Sequence, residues 1–87
     1  MDMLRFIPFG EQDAAGHYSW YRAQIEGGRY TISVRYNAIY PNEVDRAVVN
    51  SAPLGPEGYG PSESLGPCRD LDAAMQAAQE HYNRGSP

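Results

Sequence analysis

The clearest pattern in the chain is an alternation of apolar and polar positions on both sides of a glycine pair. Residues 18–36 read YSWYRAQIEGGRYTISVRY, two runs rich in aromatic and β-branched residues that flank Gly27-Gly28. Such runs are typical of strands, and adjacent glycines supply the positive φ that a two-residue hairpin turn requires. The pattern therefore predicts a β-hairpin over residues 18–36.

A turn formed by the two glycines fixes the register of the two strands, and this register can be checked against the types of side chain that it pairs. In this register one face carries apolar and aromatic pairs, and the other face carries polar pairs with Glu26 opposite Arg29 and Trp20 opposite Arg35. Both strands sort their side chains in the same way, as expected for a half-buried pair of strands. We therefore expect one buried and one exposed face, with an ion pair beside the turn and a Trp–Arg stack.

Residues 70–84 have the periodicity of a helix. Asp70 suits the N-cap, and Gly85 stands where a helix usually ends. A lone helix of this length is weak in water, so we expect it to pack on the apolar face of the hairpin. The apolar residues recur at intervals of three and four and form one stripe: Leu71, Ala74, Met75, Ala78 and Tyr82.

The other segments have weaker patterns. Residues 3–9 fit an outer strand, in which Pro8 is tolerated only near an edge. Residues 41–50 fit either a short helix or a third strand. Residues 51–67 hold four prolines and four glycines, which favours a long loop. The prediction is a single α+β domain over residues 1–87, in which a small antiparallel sheet of three to four strands packs on one C-terminal helix.

Composition narrows the classes of function. The chain has 87 residues and a net charge of −4, and all its basic residues are arginines. A negative total charge opposes nonspecific binding to nucleic acid. No apolar run approaches the ~20 residues of a membrane span, and the single cysteine excludes a disulfide scaffold and suits a reducing compartment. We expect a cytoplasmic protein without membrane contact.

The side chains that could carry chemistry are scattered along the chain. Cys68, His17 and His81 lack the paired spacing of a zinc site. Cys68 and His81 also lie at opposite ends of the predicted helix, about 20 Å apart at 1.5 Å per residue, which excludes a dyad. The glycines of GPEGYGP follow no strand and open no helix, so they do not form a phosphate loop. We expect no cofactor, no bound metal and no enzyme activity.

The polar face of the hairpin is the candidate binding site. Trp20, Arg22, Arg29 and Arg35 project from it. Tryptophan and arginine are enriched in the hot spots of protein interfaces, and the same residue types stack on and clamp a nucleic-acid strand. The plain alternative is a solvated sheet face on which Arg35 shields Trp20.

The hairpin and helix together resemble a type of small phage or prophage protein, in which a W…A…G-x-Y-x-I hairpin precedes a DL-x-A-A-x-x-A-A-x-x-H/Y helix. Members with assigned roles include inhibitors of bacterial defence, among them anti-CRISPR proteins. The resemblance implies a non-enzymatic binder of a host protein or ribonucleoprotein complex, and it transfers no functional residue. The matching residues are Trp20, Ala23, Gly28, Tyr30 and Ile32, then Leu71, Ala73, Ala74, Ala77, Ala78, His81 and Tyr82.

The resemblance and the candidate site together lead to one expectation and two alternatives. We expect a phage or mobile-element protein, monomeric or homodimeric, that sterically inhibits a host defence complex through Trp20, Arg22, Arg29 and Arg35. The first alternative is a small nucleic-acid-binding module that uses the same face directly. The second is a phage structural or assembly protein that forms oligomers through an open sheet edge.

Overall fold

The structure is a computed structural model that describes residues 3–40 and 42–85, an antiparallel sheet with one helix on one of its faces. The strand order is β1-β2-β3-β4-β5, and β6 also pairs with β4. The α+β class is confirmed, and the described sheet has six strands where three to four were expected. The elements are β1 (Ile7–Gln12), β2 (Tyr18–Ile25), β3 (Gly28–Tyr36), β4 (Val44–Gly55), β5 (Gly58–Tyr59), β6 (Glu63–Cys68) and α1 (Leu71–Gly85).

The additional strands come from the segment that the sequence predicts least well. The long strand β4 pairs with β3 along the whole length of β3. Of the ambiguous residues 41–50, residues 44–50 are therefore strand and not helix, residues 42 and 43 precede the strand, and Pro41 lies outside the described residues. The predicted loop over 51–67 is wrong, because it holds the end of β4, all of β5 and most of β6. Its prolines stand where strands tolerate them: Pro53 lies near the end of β4, and Pro67 lies in the outer strand β6.

The predicted hairpin forms from β2 and β3, with a turn one position earlier than expected. Ile25 opposes Gly28, so the turn residues are Glu26 and Gly27, and neither has a positive φ. Gly28 is instead the first residue of β3, where it allows β4 to approach closely. A Cβ atom at this position would overlap the carbonyl oxygen of Ala52. Glycine is needed here for two reasons: β4 approaches closely, and the φ of Gly28 is +157°, a value that other residues rarely adopt.

The earlier turn shifts the register of the hairpin by two residues. Trp20 opposes Ser33 and not Arg35, and Gln24 takes the predicted place of Glu26 opposite Arg29. The predicted Trp–Arg stack and the ion pair beside the turn are therefore wrong. The two predicted faces survive, because side chains alternate with a period of two and an even shift leaves each side chain on its own face.

The core lies between α1 and one face of the sheet, as the helical stripe predicts. The helix packs mainly on β4, and also on β3 and β6. Ile32 and Val49 are the largest fully buried side chains of the described core. The helix contributes the small side chains of Ala74 and Ala78, which are completely buried and let its backbone lie close to the strands. All of the buried core residues are apolar or aromatic: Ala23, Tyr30, Ile32, Val34, Ala47, Val49, Ala74 and Ala78.

Hydrogen bonds fix the start of the helix and the N-terminal segment that crosses to it. The Ala73 amide donates to Asp70 Oδ1 at 2.8 Å, which confirms the predicted N-cap. Residues 3–6 precede β1 and cross to the helix, where the Leu4 amide donates to Gln79 Oε1 at 2.7 Å. The outer strand consequently begins at Ile7, later than the predicted start. Among the described residues, no helix has both the length and the apolar character to cross a membrane.

Candidate functional site

The sheet face opposite α1 has no helix over it, and we term it the open face. Its side chains alternate along each strand with those of the core, so the pairing of the strands assigns them to one side. All of the residues predicted for the binding site belong to it. Its members are Ile7 and Phe9 on β1, Trp20, Arg22 and Gln24 on β2, Arg29, Thr31, Ser33 and Arg35 on β3, and Arg46, Val48 and Asn50 on β4.

The open face is positively charged although the whole chain is negative. It carries four arginines, and no member is acidic. Within residues 3–40 and 42–85, the ion pairs lie in or beside the helix and none involves an arginine of the open face. Arg35 lies directly opposite Arg46, a cross-strand pair of like charges that destabilises the sheet unless an anion neutralises it. Arg46 was missed from the sequence because its segment was ambiguous between helix and strand.

An aromatic pair adjoins these arginines. Phe9 lies opposite Trp20 in the register of β1 and β2, and their ring centroids are 6.1 Å apart with an interplanar angle of 35°. The guanidinium carbon of Arg22 lies 5.3 Å from the centroid of the Phe9 ring. Trp20 keeps 43% of its surface exposed. The predicted stack of Trp20 on Arg35 is thus replaced by two other contacts: Trp20 lies beside Phe9, and the guanidinium group that stacks on Phe9 is that of Arg22.

Arg29 is held in place by the short hairpin that joins β4 to β5. Its guanidinium carbon lies 4.1 Å from the centroid of the Tyr59 ring. Gln24 Nε2 donates both to the Tyr59 hydroxyl and, at 3.2 Å, to the Gly28 carbonyl. The Nε atom of Arg29 is buried without a hydrogen-bond partner. Arg29 is thus oriented by packing and by a cation–π contact, and no ion pair with a described carboxylate neutralises it.

A cleft of about 240 Å³ opens between these groups and is lined by Phe9, Trp20, Arg22, Arg29 and Thr31. It brings together two aromatic rings, two guanidinium groups and one hydroxyl. Larger clefts lie along residues 53–60 and between the N-terminal segment and the helix, and neither is lined by a basic side chain. Three of the four predicted site residues meet at this cleft, and Arg35 lies farther along β3.

The histidines and the cysteine have contacts away from the open face. The Tyr30 hydroxyl lies 2.8 Å from His81 Nδ1, on the helix side of the sheet, where burial raises the pKa of Tyr30 above its usual value. His17 stacks on Tyr36 with centroids 4.4 Å apart. Cys68 is half-buried opposite Ala47 of the core. In the part of the chain that the structure describes, no three His, Cys, Asp or Glu residues are grouped to hold a metal ion.

The arrangement of the open face offers groups that can bind a ligand. The open face combines exposed aromatic surface, fixed cations and the polar side chains of Gln24, Thr31, Ser33 and Asn50, which are groups that recognise an anionic, planar ligand. Comparison of the chain with protein-family models, with curated proteins and with solved structures finds no match.

Proposed function

We propose that this chain is a non-enzymatic binding protein, and that its open face binds a single strand of nucleic acid, either free or displayed by a ribonucleoprotein complex. The observation that carries the proposal is the placement of exposed aromatic rings beside arginines that no carboxylate among the described residues neutralises. Phosphates satisfy the guanidinium groups, and unpaired bases supply flat surfaces for the rings. The negative total charge was the sequence-based argument against this ligand.

The distribution of charge answers that argument. Screening limits electrostatic interactions between exposed groups to about 8 Å at physiological ionic strength. The ligand therefore responds to the four arginines of the open face more strongly than to acidic residues elsewhere on the chain. A single strand fits better than a duplex, because stacking on Trp20 requires a base that is not already stacked within a helix.

Inhibition of a host defence complex, which the resemblance implies, is the second candidate function. It is favoured by exposed apolar side chains outside the open face: Ile39 is 78% exposed and Tyr40 is 61% exposed in the connection between β3 and β4. These apolar side chains do not neutralise phosphates, and they can pack against the apolar part of a protein surface. A ribonucleoprotein complex presents both kinds of surface, so the two candidates share the open face and differ in the need for a protein contact.

Fluorescence anisotropy with labelled single-stranded DNA and RNA tests the proposal. Binding should weaken as salt rises, with a slope of log K against log salt of about −0.7 for each phosphate neutralised. The double variant R22E/R35E should abolish binding. The matched control is R69E/R84E, which changes the total charge by the same amount at side chains that are 89% and 81% exposed beside and on the helix.

The control variant decides between a local and a global charge effect. If both double variants lose binding equally, total charge and not the open face governs it, and the proposal is wrong. If neither DNA nor RNA binds even at low salt, the free-strand form is wrong. In that case, co-purification of the wild type with a host complex, lost on changing Ile39 and Tyr40 to serine, would support the second candidate.

A further inference from the structure

We infer that the cleft lined by Phe9, Trp20, Arg22, Arg29 and Thr31 holds one nucleotide unit of the bound strand, with its base stacked on the Trp20 indole and its phosphate between Arg22 and Arg29. The inference rests on the proposed function and adds to it the point at which the strand is anchored. Three features of the cleft support it: its aromatic wall, the spacing of its two arginines and its size.

The aromatic wall leaves one ring system free for the base. The guanidinium group of Arg22 lies over the Phe9 ring, so that ring is already partly covered. Phe9 in turn lies beside Trp20, which supports the indole from the neighbouring strand. The indole itself remains 43% exposed. Trp20 is therefore the ring that a base can reach, and Phe9, itself covered by Arg22, supports it from β1.

The two arginines are spaced for one phosphate. Arg22 lies opposite Thr31, and Arg29 lies opposite Gln24, so the two arginines occupy diagonal positions on adjacent strands. Diagonal neighbours in an antiparallel sheet are about 7–8 Å apart, which long side chains span easily. The Tyr59 ring fixes the position of the Arg29 guanidinium group. The Nε atom of this group is buried and has no hydrogen-bond partner. The other N–H groups of the guanidinium are therefore the ones that can form charge-assisted hydrogen bonds with phosphate oxygens.

The size of the cleft argues for part of a polymer and against a free cofactor. Its volume of about 240 Å³ is below the ~300–1,000 Å³ of sites that enclose a whole small molecule. A base with its phosphate can enter while the sugar–phosphate chain continues outside. The pair formed by Arg35 and Arg46 lies farther along the same face and provides the next cations on that path. A mononucleotide should consequently bind much more weakly than a strand.

The experiment compares two probes of equal phosphate number: a 12-mer of oligothymidylate and a 12-mer of the same backbone without bases. Trp20 is the only tryptophan in the chain, so its fluorescence reports on the cleft directly. Oligothymidylate should quench this fluorescence, and the base-free strand should bind about 5- to 150-fold more weakly without quenching it, since stacking of one base on an aromatic ring accounts for a difference of that size.

Variants separate stacking from folding. W20A should lose affinity by a similar factor, whereas W20F should retain most of it because it keeps an aromatic ring at the site. Met3→Ala, which removes an 85% exposed side chain beside the helix and away from the open face, should bind like the wild type. Equal urea midpoints for these variants and the wild type exclude a loss of fold as the cause.

The outcomes distinguish the inference from the proposed function. In one outcome oligothymidylate binds, R22E/R35E abolishes the binding, the base-free strand binds equally well and the fluorescence of Trp20 does not change. The cleft is then only an anion site, so the inference is wrong while the proposed function stands. If oligothymidylate does not bind at all, the inference is wrong, and the free-strand form of the proposed function is wrong as well if labelled RNA also fails to bind. Quenching with retention of affinity in W20F and loss in W20A supports both.

Discussion

The two faces of this sheet use the same strands for opposite purposes. On the helix side, the buried positions of the strands hold small and β-branched residues together with the aromatic ring of Tyr30, and no polar or charged residue is buried among the described residues. On the open face, the alternate positions of the same strands carry arginines and aromatic rings. The first face removes apolar surface from water, and the second holds charge and aromatic surface in water without local neutralisation.

This difference separates stability from recognition within one element. Since alternate residues of a strand point to opposite sides, a substitution on one face leaves the other face in place. Substitutions on the helix side should reduce stability, whereas substitutions on the open face should change binding at nearly constant stability. Four measurements test that separation.

The largest expected effect is on the core isoleucine of β3. Ile32→Ala should lower the free energy of unfolding by about 2–5 kcal/mol, because it removes a fully buried side chain and leaves a cavity. Urea denaturation measures the change. Ile7→Ala removes the same atoms from an open-face position that is 61% exposed, and should change stability by about 0.5 kcal/mol or less.

Equal losses in these two variants would show that the open face is also a packed interface. A chain of this length has roughly 4–13 kcal/mol of stability, so Ile32→Ala can approach complete unfolding. Ile32→Val then gives the smaller comparison, with an expected loss of about 0.5–1.5 kcal/mol.

The second effect concerns the strand spacing that both faces share. Gly28→Ala should cost about 1–3 kcal/mol, since the new methyl group meets the Ala52 carbonyl and forces β3 away from β4. Thermal or urea unfolding measures this loss. Gly27→Ala is the matched control, because a Cβ atom at Gly27 meets nothing within 4 Å. If Gly27→Ala were the more harmful change, the turn and not the spacing would require glycine.

The third effect tests the attachment of the helix that covers the core. Asp70→Ala should cost about 0.5–2 kcal/mol, because the Ala73 amide loses its hydrogen-bond acceptor at the N-cap. Urea denaturation monitored by circular dichroism measures this loss in the free energy of unfolding. Asp72→Ala retains the cap and removes only a charge in the first turn, so its loss should be smaller, about 0.3–1 kcal/mol. Oligonucleotide affinity should be unchanged in both variants, and a change would show that the two faces are coupled.

The smallest effect is a loss of folding stability at alkaline pH. Burial raises the pKa of Tyr30, so the folded chain holds the phenol proton more tightly than the unfolded chain does. The resulting stabilisation is complete below about pH 10 and is lost as the pH rises through the folded-state pKa. Tyr30→Phe should weaken this dependence and, at neutral pH, cost about 0.5–1.5 kcal/mol for the hydrogen bond to His81.

Stability curves of the wild type and Tyr30→Phe between pH 8 and pH 11 measure the difference. Burial raises the pKa of Tyr36 as well, so part of the alkaline loss should remain in the variant. Identical curves for the two proteins would contradict the account of Tyr30.

The sequence predicts the elements whose signals are local. The alternation over residues 18–36 identifies β2 and β3, and the stripe with Asp70 identifies the helix and its cap, since these signals depend on neighbours along the chain. Residues 51–67 mislead because proline and glycine are typical of loops, although an edge or a strand end also accepts them. Pairing with β4 decides between these possibilities, and pairing between distant segments leaves no local pattern.

The sequence predicted the face on which four residues of the candidate site lie, but not the contacts that these residues make. Trp20, Arg22, Arg29 and Arg35 all lie on the open face, because the register error was even and preserved the alternation. The contact of Arg29 with Tyr59 joins strands that lie far apart in the chain, and the contact of Trp20 with Phe9 joins β2 to a strand outside the predicted hairpin. No spacing rule within one hairpin could have indicated these partners.

The outer position of β1 has a consequence for how the cleft opens and closes. This strand has a single neighbour, β2, and an outer strand of this kind detaches at a lower free-energy cost than the whole domain unfolds. Phe9 belongs to β1, so each detachment removes half of the aromatic wall. A ligand seated against Trp20 would select the attached form, and amide hydrogen exchange along β1 should then slow on binding while exchange in the buried strands stays the same.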